Sequence, residues 1–86
     1  MFKVSTEAYD HRKHSFDVME VFPTKDCLDK IILLAKMADV VLYPGYSGSS
    51  FWLELPAESK DCEAMFELAT ELGLSWSEFV YTPHFD

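Results

Sequence analysis

Apolar and polar side chains alternate along the first stretch of the chain. Phe2, Val4, Thr6 and Ala8 fall on one side, and Lys3, Ser5, Glu7 and Tyr9 on the other. This period of two predicts a half-buried strand over residues 2–10. The polar run Asp10-His11-Arg12-Lys13-His14-Ser15 reads as a turn, and Phe16 to Phe22 is extended again until Pro23 ends it. The two strands are therefore expected to pair as a hairpin. From Thr24 the period changes to that of a helix, with Thr24 as the expected N-cap and Asp26 in the first turn. At 100° per residue Cys27, Leu28, Ile31, Leu34, Ala35 and Ala38 share one face, and Lys25, Asp26, Asp29 and Lys36 the other. Leu33 and Met37 fall on that polar face.

Asp39 is expected to end the helix, and Val40 to Tyr43 suits an interior strand. Tyr43 to Ser50 holds two of the three glycines and acts as a hinge between two halves of similar pattern. Beyond it Phe51, Leu53 and Leu55 alternate with Trp52 and Glu54, which predicts the return strand of a hairpin. Ser59 is expected to cap a second helix and Gly73 to end it. Cys62, Met65, Phe66, Leu68, Ala69 and Leu72 lie on its apolar side, opposite Lys60, Glu63, Glu67, Thr70 and Glu71. Leu74 to Ser77 leads into a last strand, Glu78 to Thr82, followed by a short tail.

The predicted order is ββαββαβ in one domain, residues 1–86, with the triplet Lys-Asp-Cys recurring at 25–27 and 60–62. Over residues 16–83 this order resembles the ferredoxin-like α+β two-layer sandwich, an antiparallel sheet with two helices on one face. The resemblance implies a fold and no activity. It also places the two helix N-termini at opposite ends of the layer, too far apart for a disulfide. Cys27 and Cys62 are thus expected to be buried, unpaired thiols.

Composition narrows the function. The longest apolar run, Ile31 to Ala35, is too short to cross a bilayer, and the N-terminus shows no signal-peptide pattern. A cytoplasmic protein with no membrane role is expected. Asn and Gln are absent and Arg12 is the only arginine, so the usual side chains for binding sugars, bases and carboxylates are scarce. The net charge of −8 arises wholly after residue 36, where nine acids face one base, Lys60. Such a field repels nucleic acid and anionic membranes and favours basic partners.

Chemistry-bearing clusters are few. His11 and His14, with His84 elsewhere, are candidate metal ligands, but the cysteines lie inside helical faces and no four-ligand spacing exists. A solvated turn is the default there, and no metal or cofactor is expected. There is no nucleophile elbow, phosphate-cradling glycine loop or Cys-x-x-Cys. An acylphosphatase-like activity on this fold would be expected to use an asparagine, and none exists. The chain therefore reads as a non-enzyme.

What stands out is the row Glu63, Glu67 and Glu71, repeating about every 6 Å along a helix. Glu54, Glu58 and Glu78 extend its acidic character. Carboxylates so spaced can imitate the phosphates of a nucleic acid, although an ordinary solvated helix face has the same pattern. The resulting expectation is an acidic inhibitor, a DNA mimic that occupies the basic, nucleic-acid-binding surface of another protein. By size and charge it resembles compact acidic proteins of viruses and mobile elements that block host defence, anti-CRISPR proteins among them. The alternative is a dimeric ferredoxin-like regulatory or small-ligand-sensing domain. Its contacts would be Leu33 and Met37, with Trp52 and Tyr46 adding a second apolar patch.

Overall fold

A computed structural model of the chain describes residues 1–10, 12, 17–23, 27–45 and 50–79. Its elements in order are β1 (Lys3–Val4), β2 (Val18–Phe22), α1 (Leu28–Ala38), β3 (Val41–Pro44), β4 (Phe51–Glu54), α2 (Ser59–Glu71) and β5 (Ser75–Phe79). They form a small α+β structure, a five-stranded sheet in the order β1-β3-β4-β2-β5 with two helices. The expected caps at Thr24, the histidine turn, Tyr46 and the tail after Phe79 lie outside the described residues.

Alternation along the strands builds the core. In register, Met19 of β2 faces Leu53 of β4, and Leu53 faces Leu42 of β3, so one apolar row crosses three adjacent strands. All three are essentially buried, as are Ile31, Leu34 and Ala35 of α1 and Met65 and Ala69 of α2, within a single cluster. Each large side chain buried in this way contributes about 1.5–3 kcal/mol. Leu28, placed on the inner face by the helical wheel, is 50% exposed, while Cys27 before it is buried in the core.

Both helices end in the same device. Asp39 takes a left-handed φ of 57°, its N–H donates to the Lys36 carbonyl, and the Val40 N–H reaches back to that of Ala35. Gly73 has φ 76°, its N–H donates to the Thr70 carbonyl, and the Leu74 N–H reaches that of Ala69. This double bond pattern is a Schellman cap, and the residue that follows it is buried in each case, Val40 and Leu74. At the N-termini Cys27 and Glu58 stand in the cap position, neither with a side-chain cap bond. Ser59, the expected cap of the second helix, is its first residue.

The N-terminal segment departs most from expectation. β1 does not form a hairpin with β2; it pairs in parallel with β3, Lys3 beside Val41 and Val4 beside Leu42. The sheet is therefore mixed, not wholly antiparallel. Only two residues form the strand, and Val4 is 51% exposed. What holds the segment is polar and aromatic. The Phe2 N–H donates to Asp39 Oδ1 at 2.8 Å, Ser5 N–H to the Leu42 carbonyl at 2.8 Å and Tyr9 N–H to the Pro44 carbonyl at 3.2 Å. Lys36 Nζ lies 5.7 Å from the centre of the Phe2 ring. The segment ends with Tyr9 buried against the sheet.

The last strand begins earlier than expected, at Ser75 rather than Glu78, and pairs antiparallel with β2. Gly45 closes the β3–β4 connection: its N–H donates to the Ser50 carbonyl at 3.0 Å, and a Cβ there would stand 2.7 Å from that oxygen. Gly73 differs, since a Cβ would meet nothing within 4 Å and only backbone strain opposes it. Gly73→Ala is accordingly expected to cost about 1–2 kcal/mol, the left-handed penalty for an L-residue. Urea denaturation should show a lower midpoint at unchanged slope.

Candidate functional site

The register assigns the two strand carboxylates, Glu54 and Glu78, to opposite sides of the sheet. Leu53 points into the helix-covered core, so its neighbours Trp52 and Glu54 point to the opposite face. There the Tyr43 phenol is pushed up by burial and by the nearby charge of Glu54. Glu78 pairs in register with Met19 and so belongs to the helix side, exposed. Glu63, Glu67 and Glu71 are exposed on α2, and none takes part in an ion pair among the described residues. Glu58, before α2, lies 4.0 Å from Lys60 Nζ, a solvent-exposed contact worth little.

The six carboxylates thus do not form one surface. Glu63, Glu67 and Glu71 make the row that helical spacing predicted. Glu54 is on the other side of the sheet, and Glu58 is partly neutralised. The two expected apolar patches lie on different parts of the molecule. Leu33 and Met37, 44% and 63% exposed, lie on α1, whereas Trp52 lies on the helix-free face. Met37 borders a groove between the helices whose walls are Ala38, Pro56, Asp61, Ala64, Met65 and Leu68.

Trp52 is not an open patch. Tyr9 stacks on it with ring centres 5.3 Å apart and planes inclined by 13°, while Tyr43 meets Tyr9 edge-on at 5.8 Å. Beside them the buried Ser50 hydroxyl donates to Glu20 Oε2 at 2.7 Å. Alternation puts Tyr9 on the polar side of the strand, yet Tyr9 is buried while Lys3 and Glu7 stay exposed, because the strand ends at Val4 and the period no longer governs residue 9.

A second aromatic pair stands at the other end of the sheet. Phe66 of α2 and Trp76 of β5 stack with centres 4.5 Å apart and planes 4° apart. With Glu67, Thr70 and Glu71 they line a shallow cleft of about 410 Å³. The Trp76 indole N–H donates to Thr70 Oγ1 at 3.3 Å, and that hydroxyl donates to the Phe66 carbonyl at 3.0 Å. Trp76 had been read as part of a lead-in to the last strand. Its alternation with Ser75 and Ser77 carried the strand signal.

Neither cysteine is joined in a disulfide among the described residues. Cys27 is buried, and Cys62 is half-buried with its Sγ 3.1 Å from the Pro56 carbonyl. Burial pushes the Cys62 thiol up, and the negative charges of Glu78, Asp17 and Asp61 push it further. It is thus held as the protonated, poorly nucleophilic form. No group of three or more His, Cys, Asp and Glu side chains among the described residues could hold a metal ion. Nor is any helix among them long and apolar enough to cross a membrane.

Comparison of the chain with protein-family models, curated proteins and solved structures returns no match. The site must speak through its own chemistry. For the thiols, alkylation by iodoacetamide at pH 8 should be slower at Cys62 than in an unstructured peptide, and slower still at Cys27. Mass spectrometry of the two labelled peptides checks this, and adding urea should erase the difference.

Proposed function

We propose that this protein is a non-catalytic binding module that presents the Glu63–Glu67–Glu71 row to a basic, nucleic-acid-binding surface of another protein. The observation that carries this reading is the row itself: three exposed carboxylates on successive turns of one helix, unpaired by any base among the described residues. A helix gains nothing from such a row, because like charges four residues apart cost a few tenths of a kcal/mol per pair. On a rigid helix the charges are held in place before binding, so little ordering entropy opposes association. Glu78 lies on the same side and supports the row. Glu54 belongs to the opposite face and is left out of this reading. Cysteines outside any disulfide suit a reducing, cytoplasmic setting.

If the row acts as a nucleic-acid decoy, proteins captured from a host extract at low salt should be released by duplex DNA and by high salt. The triple change Glu63→Lys, Glu67→Lys and Glu71→Lys should capture none of them while keeping its circular dichroism spectrum. Capture that survives the triple reversal, or that DNA does not displace, ends this reading.

A second reading draws on α1. In residues 18–79 the strand order β3-β4-β2-β5, antiparallel throughout, supports reading this part as a ferredoxin-like sandwich with β1 added at its edge. Self-association through the exposed Leu33 and Met37, the latter bordering the inter-helix groove, would make it a dimeric regulatory domain. Sedimentation equilibrium should then show a concentration-dependent dimer that Leu33→Lys with Met37→Lys converts to monomer. A wild-type chain that stays monomeric at millimolar concentration removes the alternative.

A further inference from the structure

The cleft at the Phe66–Trp76 stack has a chemistry that selects its ligand. Among the side chains that line it, only Thr70 and Trp76 carry hydrogen-bond donors, and both are already engaged. The indole N–H goes to Thr70 Oγ1 and the Thr70 hydroxyl to the Phe66 carbonyl. What the cleft offers outward is therefore acceptors and π-electron density: the carboxylates of Glu67 and Glu71 and the two stacked rings. A carboxylate or phosphate finds no donor there and meets like charge. A neutral amide finds acceptors for its N–H but nothing for its carbonyl.

A guanidinium group fits on every count. It carries five N–H donors and no acceptor, it is always charged, and its plane stacks on aromatic faces. Rings and carboxylates together attract it more than either alone, since both present negative potential to the same point. An ammonium satisfies the charge but lacks the plane and has fewer donors. The two rings stack face to face, 4.5 Å apart and 4° from parallel, so the plane open to a guanidinium is the outer face of the stack.

We infer that the Phe66–Trp76 cleft, flanked by Glu67 and Glu71, binds an arginine side chain of the partner. This inference rests on the reading of α2 as the partner-facing element and names the group it grips there. Glu67 and Glu71 belong to both the row and the cleft, whereas Glu63 belongs to the row and does not line the cleft. The geometry thus divides α2 into a general electrostatic stretch and a specific anchor.

The test uses the full chain carrying Trp52→Phe, so that Trp76 is the only tryptophan and its emission reports on the cleft. Three short peptides serve as probes, identical except for arginine, lysine or neutral citrulline at two central positions. Calorimetry measures binding in parallel. The arginine peptide should shift Trp76 emission saturably and bind about tenfold tighter than the lysine peptide, given the planar donor fork that lysine lacks. The citrulline peptide should leave the emission unchanged. Glu67→Gln with Glu71→Gln, a surface change that spares the core, should abolish the arginine preference, whereas Glu63→Gln should only weaken both basic peptides equally.

Equal binding of arginine and lysine peptides with no change in Trp76 emission would overturn the anchor and leave the electrostatic row standing. An emission change of the same size with citrulline would also overturn it, since the cleft would not be reading charge. Binding of neither basic peptide would remove the anchor and the row together.

Discussion

The row Met19–Leu53–Leu42, laid across three neighbouring strands and covered by Ile31, Leu34, Met65 and Ala69, is what the rest of the molecule depends on. A chain of this length has surface enough to close one apolar layer and not two. Both helices therefore serve the same face, and each must stop where the sheet begins again. The paired Schellman caps meet that requirement by turning Val40 and Leu74 inward immediately after the helix ends. With the helix side filled, the N-terminal segment reaches the opposite face, where Tyr9 packs on Trp52 and Tyr43.

The helices and the central strands are legible because each follows a single strong period. Cys27, Ile31, Leu34 and Ala35 repeat at helical spacing, and Phe51, Leu53 and Leu55 at strand spacing, so local pattern and tertiary burial agree. The N-terminal segment was misread for the opposite reason. Phe2 and Val4 alternate well enough for a strand, but alternation does not say which strand is the neighbour, nor whether the pairing is parallel. Here the parallel partner lies 38 residues on, at Lys3 with Val41, and its choice is made by the Asp39 carboxylate and the Tyr9 ring. The start of β5 escapes a reading by composition, but Leu74-Ser75-Trp76-Ser77 alternates apolar with polar as a strand does.

The acidic site was legible only in part. Spacing along α2 located Glu63, Glu67 and Glu71 on one face, since a helix carries its own ruler. Glu54 and Glu58 share their sign and not their place, because charge counted along a chain says nothing about which side of a sheet a residue occupies. The aromatic half of the site was hidden more deeply. Phe66 read as core and Trp76 as loop, and their stacking needs α2 and β5 to be packed before it exists.

The two margins of the sheet are unlike. Beside β3 the N-terminal segment occupies the outermost position, while β5 forms the other margin and, among the described residues, has no neighbour beyond it. The margin at β1 is two residues long and that at β5 is five, so β5 offers a guest strand the longer run of backbone and β1 offers little to pair with.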